Sequence, residues 1–282
     1  MLLTVQAGPY TVRGVSTGGV YTSLHVPELG VLLDVGMAPR SFAGVGHIFL
    51  THGHADHAAA LGALLGIRAL SRVPPPRVVM PAQIADDVQV ALAALGRLQG
   101  FELPIDPVPV EPGSEFDVRP DLSVRVLAAH HVVPTVGYQF FSRVRKLRPE
   151  FVGLPGQEIG RRRLAGEDLF DVVERLELAY LTDTTVDALE ENPSLFETRV
   201  LLIECTFLDE RKTPEAARDC GHVHLDDLVR LAPRFRNDAV VLVHFSQQYR
   251  PSEVHASLAR RCPEELARRF IAFAPRREPW PG

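Results

Sequence analysis

Cysteine is scarce in this 282-residue chain, with only Cys205, Cys220 and Cys262. They lie too far apart for a CxxC pair, and an odd number in a chain this long argues against a disulfide framework. Long apolar runs are missing too. None approaches the ~20 residues that a bilayer-spanning helix needs, and Met1-Leu2-Leu3-Thr4 leads into no signal-peptide core. The expectation is a soluble, cytoplasmic protein with no membrane partner. Nor is there an excess of basic charge: 30 Lys and Arg stand against 35 Asp and Glu, a formal net charge of −5. No global field draws the chain to nucleic acid, so an anionic ligand has to be held by a local patch or a metal. Repeats, low-complexity tracts and long linkers are absent. What remains is ordinary globular usage, 46% hydrophobic and 23% charged, which excludes disordered and collagen-like classes.

The first fifty residues alternate short β-type runs with glycine: Thr11–Arg13, Val20–Val26, Val31–Leu33 and Ile48–Leu50. Helical patterns follow over about Ala58–Leu70 and Ile84–Leu98. Leu122–Leu127, Gly137–Val144, Glu177–Leu181, Val200–Ile203 and Ala239–Phe245 read as strands, the later ones separated by helical patterns near Asp187, Leu225–Leu231 and Glu253–Leu258. Strands that first meander and then alternate with helices predict sheets sandwiched between helices in an α/β domain spanning residues 1–282. No domain boundary is visible.

The strongest signal is Thr51-His52-Gly53-His54-Ala55-Asp56-His57, between the apolar run Val45–Leu50 and an Ala/Leu helix. A buried strand delivers the chain to the end of a sheet, where two histidines at i and i+2 project to one side. Asp56 and His57 follow at the turn into the helix and can face a second point nearby. Four ligand-type residues in six positions exceed what one tetrahedral zinc takes from a local segment. Two metals sharing a site is the natural reading.

This HxHxDH pattern resembles the metallo-β-lactamase superfamily of binuclear metal hydrolases, and further motifs resemble its tRNase Z (ribonuclease Z) branch. His131 to Tyr138 is similar to that branch's H-x-x-P-x-x-G-Y segment. Leu181-Thr182-Asp183-Thr184 looks like its bridging-aspartate motif, and His244-Phe245-Ser246 with Tyr249 looks like H-x-S-x-x-Y. The resemblance implies a four-layer αββα sandwich, with His52, His54 and His131 on one metal, Asp56, His57 and His244 on the other, and Asp183 bridging. Gly221-His222 opens a helix-like stretch where the family carries G-H-S-T with a proton-donating histidine. Glu204, in a segment similar to H-E-A-T-F, is the acid implied to orient it. Gly153-Leu154-Pro155-Gly156 with Leu164 and Gly166 resembles another family segment. Together these cover about residues 45 to 250. The family's glycine-rich opening with P-x-x-x-R-N is not visible, and Val223-His224 stands where Ser-Thr is usual, so His222 and His224 are both candidate proton donors.

Between Arg143 and Arg163, seven basic residues face only Glu150 and Glu158. Such a stripe on an acidic chain is the footprint of local phosphate-backbone binding. It predicts a short basic insertion at about 143–166, with Arg143, Arg145, Lys146, Arg161, Arg162 and Arg163 as substrate contacts, where the family carries its tRNA-gripping arm. Histidine and carboxylate ligands without thiolate favour two Zn²⁺, with Mn²⁺ as the alternative. His54, where diiron relatives typically carry Glu, disfavours redox chemistry. The implied activity is a phosphodiesterase: a tRNase Z-like endoribonuclease acting on the 3′ end of precursor tRNA, as a homodimer, with Asp56, His222 and Glu204 as catalytic residues. The alternatives are a hydrolase of a small phosphodiester or ester on the same metal core, and a non-catalytic metal-stabilised binding protein.

Overall fold

Short, strongly apolar runs punctuated by glycine and proline produce strands rather than long helices here. The computed structural model describes residues 2–281; Met1 and Gly282, the ends of the expected domain, lie outside the described residues. The first half of the chain makes β1 (Leu3–Ala7), β2 (Tyr10–Thr17), β3 (Tyr21–Val26), β4 (Val31–Leu33), β5 (His47–Phe49), β6 (Arg77–Pro81) and β7 (Asp106–Val110). Its helices are α1 (Ala55–Ala58), α2 (Leu61–Leu70) and α3 (Ala85–Gln99). The second half makes β8 (Glu115–Arg119), β9 (Leu122–Ala128), β10 (Val136–Leu147), β11 (Phe170–Leu181), β12 (Val200–Glu204), β13 (Ala239–Val243) and β14 (Phe270–Ala272). With these go α4 (Gly156–Leu164), α5 (Asp187–Glu191), α6 (Pro214–Asp219), α7 (Leu225–Arg230), α8 (Pro251–Arg261) and α9 (Glu264–Ala267).

Among the described residues the strands form two sheets, in the orders β1-β2-β3-β4-β5-β6-β7 and β14-β13-β12-β11-β10-β9-β8. Each sheet begins as an antiparallel meander of four strands and continues parallel. Three apolar clusters fill the spaces. One lies between the sheets and takes Val12, Leu24, Phe49, Phe140, Leu178 and Val241. One packs Leu32, Ile48 and Val78 of the first sheet against Leu61, Leu65 and Leu92 of α2 and α3. The third packs Ile203 and Leu242 of the second sheet against Leu189, Leu228 and Val254 of its helices. The result is the expected four-layer αββα sandwich. No helix among the described residues is long and apolar enough to cross a membrane.

Several local expectations are corrected. The strands without a clear sequence signal are β6 and the four edge strands β1, β7, β8 and β14. Edge strands bury less, so their alternation is weak, and they tolerate proline; β7 carries Pro107 and Pro109. At the interior β6, Pro74, Pro75 and Pro76 immediately before it mask the strand signal. The helix expected over Ala58–Leu70 starts earlier and is interrupted. Val35 of the loop after β4 enters the gap, donating its N–H to the His57 carbonyl at 2.6 Å and accepting from Ala60 N at 3.0 Å. His222 does not open a helix: α7 starts at Leu225 and its N-cap is His224.

Candidate metal centre

The predicted ligands gather in the segments that follow β5, β9, β11 and β13, at the strand ends where open α/β sheets place their sites. Thr51 to His54 form the loop after β5, His54 is the N-cap of α1, and Asp56 and His57 lie within that helix. His131 follows β9, Asp183 follows β11 and His244 follows β13. Asp183 and His244 have φ of 49° and 59°, left-handed values that are costly for residues with a Cβ. Gly36 lets the chain fold this tightly. A Cβ there would sit 1.8 Å from the Asp56 carbonyl oxygen.

The structure brings the predicted ligands into two groups. His52, His54, His131 and Asp183 present donor atoms to one point, and Asp56, His57 and His244 to another. Asp183 faces both. Its Oδ2 lies 3.6 Å from His52 Nε2 and 3.7 Å from His131 Nε2. Its Oδ1 lies 3.3 Å from His57 Nε2 and 3.2 Å from His244 Nε2. Asp56 Oδ2 is 3.4 Å from Nε2 of both His57 and His244. These spacings are long for charge-assisted hydrogen bonds. They match the ~3.4 Å that separates two ligands of one tetrahedral ion with ~2.1 Å bonds. Moreover, Nε2 of His52 and of His57 is buried without any hydrogen-bond partner. Buried orphans of this kind call for an explanation, and a cation at each donor group would supply one.

Partners outside the pit fix each ring. Asp34, with φ of 57°, is fully buried and accepts from His57 Nδ1 (2.8 Å), Thr51 N (2.7 Å) and Tyr180 Oη (2.7 Å). The other ring-side contacts are Thr51 Oγ1 to His52 Nδ1 at 3.0 Å, Gly221 O to His131 Nδ1 at 3.0 Å and Thr206 Oγ1 to His244 Nδ1 at 3.1 Å. Gly19 N donates to Asp56 Oδ2 at 2.9 Å. A metal-binding imidazole is usually oriented through its other nitrogen in this way. Burial disfavours a charged His57, yet Asp183 and Asp34 raise its pKa well above the ordinary value. Asp34 and Thr206 were not among the sequence candidates. The signal for Asp34 was present, since it ends an apolar strand as Asp183 does.

His222 stands at the rim, its ring centre 5.1 Å from that of His131 and 5.5 Å from that of His244. Its Nδ1 contacts both Glu204 oxygens, at 3.1 and 3.2 Å. Glu204 is itself fully buried and also accepts from Thr184 N, Val223 N and the Thr206 hydroxyl. Burial opposes protonation of His222, but the Glu204 carboxylate prevails and pushes its pKa up to about 9. His224 points elsewhere. Its Nδ1 accepts from Asp226 N at 3.1 Å, its Nε2 meets the Asp209 carbonyl at 3.2 Å, and it is 1% exposed.

The basic residues lie far from the pit. Val136 N, at the site end of β10, bonds to the Thr51 carbonyl. Arg143 is seven residues further along that strand, roughly 23 Å away at ~3.3 Å per residue. β10 and β11 pair out to Leu147–Phe170 beyond the end of β9, and α4 lies in the connection at the tip. Several of the charges are paired: Arg143 with Glu115 and Asp117, Arg161 and Arg162 with Glu158, and Arg162 also with Glu167. Arg145 stacks over Phe170. Lys146 and Arg163 make no ion pair among the described residues. Glu167, Asp168, Asp171 and Glu174, just beyond the stripe, offset much of its charge.

Two donor groups at the strand ends of a four-layer sandwich define a class of protein, and the comparisons agree with it. The family model described as "Beta-lactamase superfamily domain" matches residues 29–245. The chain is 33% identical to tRNase Z TRZ1 of Arabidopsis thaliana over 257 residues, covering 90% of this chain and 92% of that protein. It is 28% identical to a ribonuclease Z of Streptomyces coelicolor, with 82% of each covered. Among solved structures, it shares its fold with the metallo-beta-lactamase fold protein YhfI from Bacillus subtilis (TM-score 0.59, 14% identity, 92% of each chain). It also shares it with the short form of human tRNase Z (TM-score 0.56, 20% identity, 83% of this chain and 92% of that one). The chain belongs to the metallo-β-lactamase superfamily and, within it, to the tRNase Z family.

Proposed function

We propose that this chain is a metal-dependent endoribonuclease of the tRNase Z type, hydrolysing a phosphodiester at the 3′ end of precursor tRNA. The observation that carries the reading is His222, held by the buried Glu204 carboxylate at the rim of a donor set that Asp183 divides in two. One cation is assigned to His52, His54 and His131, the other to Asp56, His57 and His244, with Asp183 shared. The imidazole and carboxylate donors suit zinc, with manganese as the alternative. Bound there, two divalent cations supply Lewis-acid activation of water and neutralise charge on the phosphate oxygens. Asp56, anchored by Gly19 N, orients the attacking water and accepts its proton. His222 delivers a proton to the departing 3′ oxygen, a poor leaving group without it, while Glu204 holds the ring by Nδ1 and leaves Nε2 for transfer.

The arm of β10, β11 and α4 is assigned to the RNA backbone, through Arg145, Lys146 and Arg163 and, on exchange of their carboxylate partners, Arg143, Arg161 and Arg162. That pairing is also what favours the second reading, a hydrolase of small phosphodiesters or esters. Three unpaired cysteines suit a reducing compartment such as the cytoplasm. A homodimer is assigned to the face of α2 and α3, where Leu70, Val90, Leu98 and Phe101 are exposed beside apolar clefts of about 600 and 460 Å³.

One assay separates the readings. Zinc-loaded protein is given precursor tRNA and bis(p-nitrophenyl) phosphate side by side, with bound metal counted. The expected result is a cut RNA ending in a 3′ hydroxyl, and two equivalents of metal. Hydrolysis of the small diester alone would move the chain to the second reading, and a single equivalent would overturn the binuclear assignment.

A further inference from the structure

A cavity of about 330 Å³ opens beside the metal pit, and none of the roles above uses it. His130, His131, Thr185, Arg218, Asp219 and Gly221 are among its lining residues. His131 belongs to the first donor group and Gly221 immediately precedes His222, so cavity and pit share a wall. Arg218 is the one permanent cation in that lining. It is also held in place: one terminal nitrogen donates to Asp227 Oδ1 at 2.8 Å, and Asp227 is 4% exposed. The other reaches Glu215 at 3.4 Å. A guanidinium carries five N–H donors in a rigid fork, so several remain for a ligand. His130 is engaged by Glu191 at 2.6 Å. Asp219, also in the lining, is exposed.

We propose that this cavity is the subsite for the nucleotide whose 3′ oxygen leaves, with Arg218 binding the phosphate on that nucleotide's 5′ side. The side follows from the proton donor: the cavity adjoins His222, so the strand attached to the leaving oxygen enters it. The inference rests on the endoribonuclease reading. Arg218 is then a substrate-binding residue that takes no part in proton transfer, and the anchoring by Asp227 spares most of the cost of ordering its side chain on binding.

The test pairs two precursor RNAs with two proteins. One RNA is unmodified; the other carries a neutral methylphosphonate at the linkage 5′ to the cleaved nucleotide. Both are given to the zinc-loaded wild type and to Arg218→Gln, with bis(p-nitrophenyl) phosphate, which has no flanking nucleotide, as control. In the wild type the neutral linkage should lower kcat/KM by about ten- to a hundredfold, the scale of one hydrogen bond to a charged group. Arg218→Gln should do the same to the unmodified RNA, mainly through KM, and the two changes together should cost no more than either alone. Turnover of the small diester should persist, and Arg218→Lys should recover part of the loss. Losses that multiply would overturn the subsite. If Arg218→Gln fails to fold with Asp227 left unpaired, the two RNAs on the wild type still decide, because equal kcat/KM would refute the proposal. A wild type that cleaves the small diester but neither RNA would remove the endoribonuclease reading and this subsite with it.

Discussion

Asp34 organises more of the centre than any residue that faces the pit. Its carboxylate collects a backbone N–H, the Thr51 hydroxyl, a tyrosine hydroxyl and the His57 imidazole with no exposure to water. Replacing it with alanine strands those donors in the interior. The expected cost is about 3–5 kcal/mol, as when one partner of a buried charge pair is removed, together with a ~10–100-fold weaker second metal site from a misoriented His57. Urea unfolding and chelator competition measure the two effects; an unchanged metal affinity would restrict Asp34 to a purely structural role. The two histidines before α7 make a sharper contrast. His222→Ala should slow RNA cleavage by about a hundredfold or more, within the range of general acid catalysis, and much less for a p-nitrophenyl diester, whose leaving group needs no proton. His224→Ala should keep turnover and lose about 1 kcal/mol of stability as a helix cap. Equal defects of His222→Ala on both substrates would count against proton donation, and a larger RNA defect in His224→Ala would transfer that role.

Among the elements, the β10–β11 ladder does two jobs with one pair of strands. Its inner half is core, with Tyr138, Phe140, Leu178 and Tyr180 fully buried, and it ends at Val136 and Asp183 in the site. Its outer half leaves the sheet, and with it go Val152, Leu164 and Val172, all largely exposed. Exposed apolar side chains and cations on a projecting hairpin suit contact with a large ligand rather than folding. Replacing residues 149–167 by a short turn should therefore leave bis(p-nitrophenyl) phosphate hydrolysis within about twofold and reduce kcat/KM for precursor tRNA by about tenfold or more, since the phosphate contacts proposed for the arm would act on RNA alone. A loss on both substrates would make the arm part of the catalytic core.

At the scale of the molecule, the two halves of the chain repeat one topology without repeating a sequence. In each, four antiparallel strands lead into a parallel run, and an aspartate with positive φ ends the strand where the switch occurs: Asp34 after β4 and Asp183 after β11. The two carboxylates meet at His57, one on each ring nitrogen. The pit is thus a junction between half-chains, and its donors come from both. The remaining face of the sandwich, around α3, carries the apolar side chains assigned to the dimer. Val90→Glu with Leu98→Glu should convert a dimer into a monomer in light scattering while small-diester turnover continues. A dimer that survives both charges would place the interface elsewhere.

The sequence by itself determined most of the interior strands, β6 excepted, and the ligands that sit just past them. His52, His54, Asp56 and His57 are legible because one short segment carries them, and Asp183 and His244 because the motifs around them, each at the end of an apolar strand, resemble those of the family. The resemblance pointed to His222, with Glu204 to orient it, but left His224 open as the alternative. Both are histidines two residues apart, and only the packed structure gives one a carboxylate at the rim and commits both ring nitrogens of the other. The ion pairing of the arm was not legible either. Along the chain the stripe reads as basic; in the structure Arg161 and Arg162 pair with Glu158 and Glu167 close by in sequence, and strand pairing brings Arg143 to the distant Glu115 and Asp117 of β8. The edge strands were likewise decided by tertiary structure, since weak alternation becomes a strand only when a neighbour supplies its hydrogen bonds; Asp34 stands visibly at the end of an apolar strand, but its role shows only in the donors assembled around it.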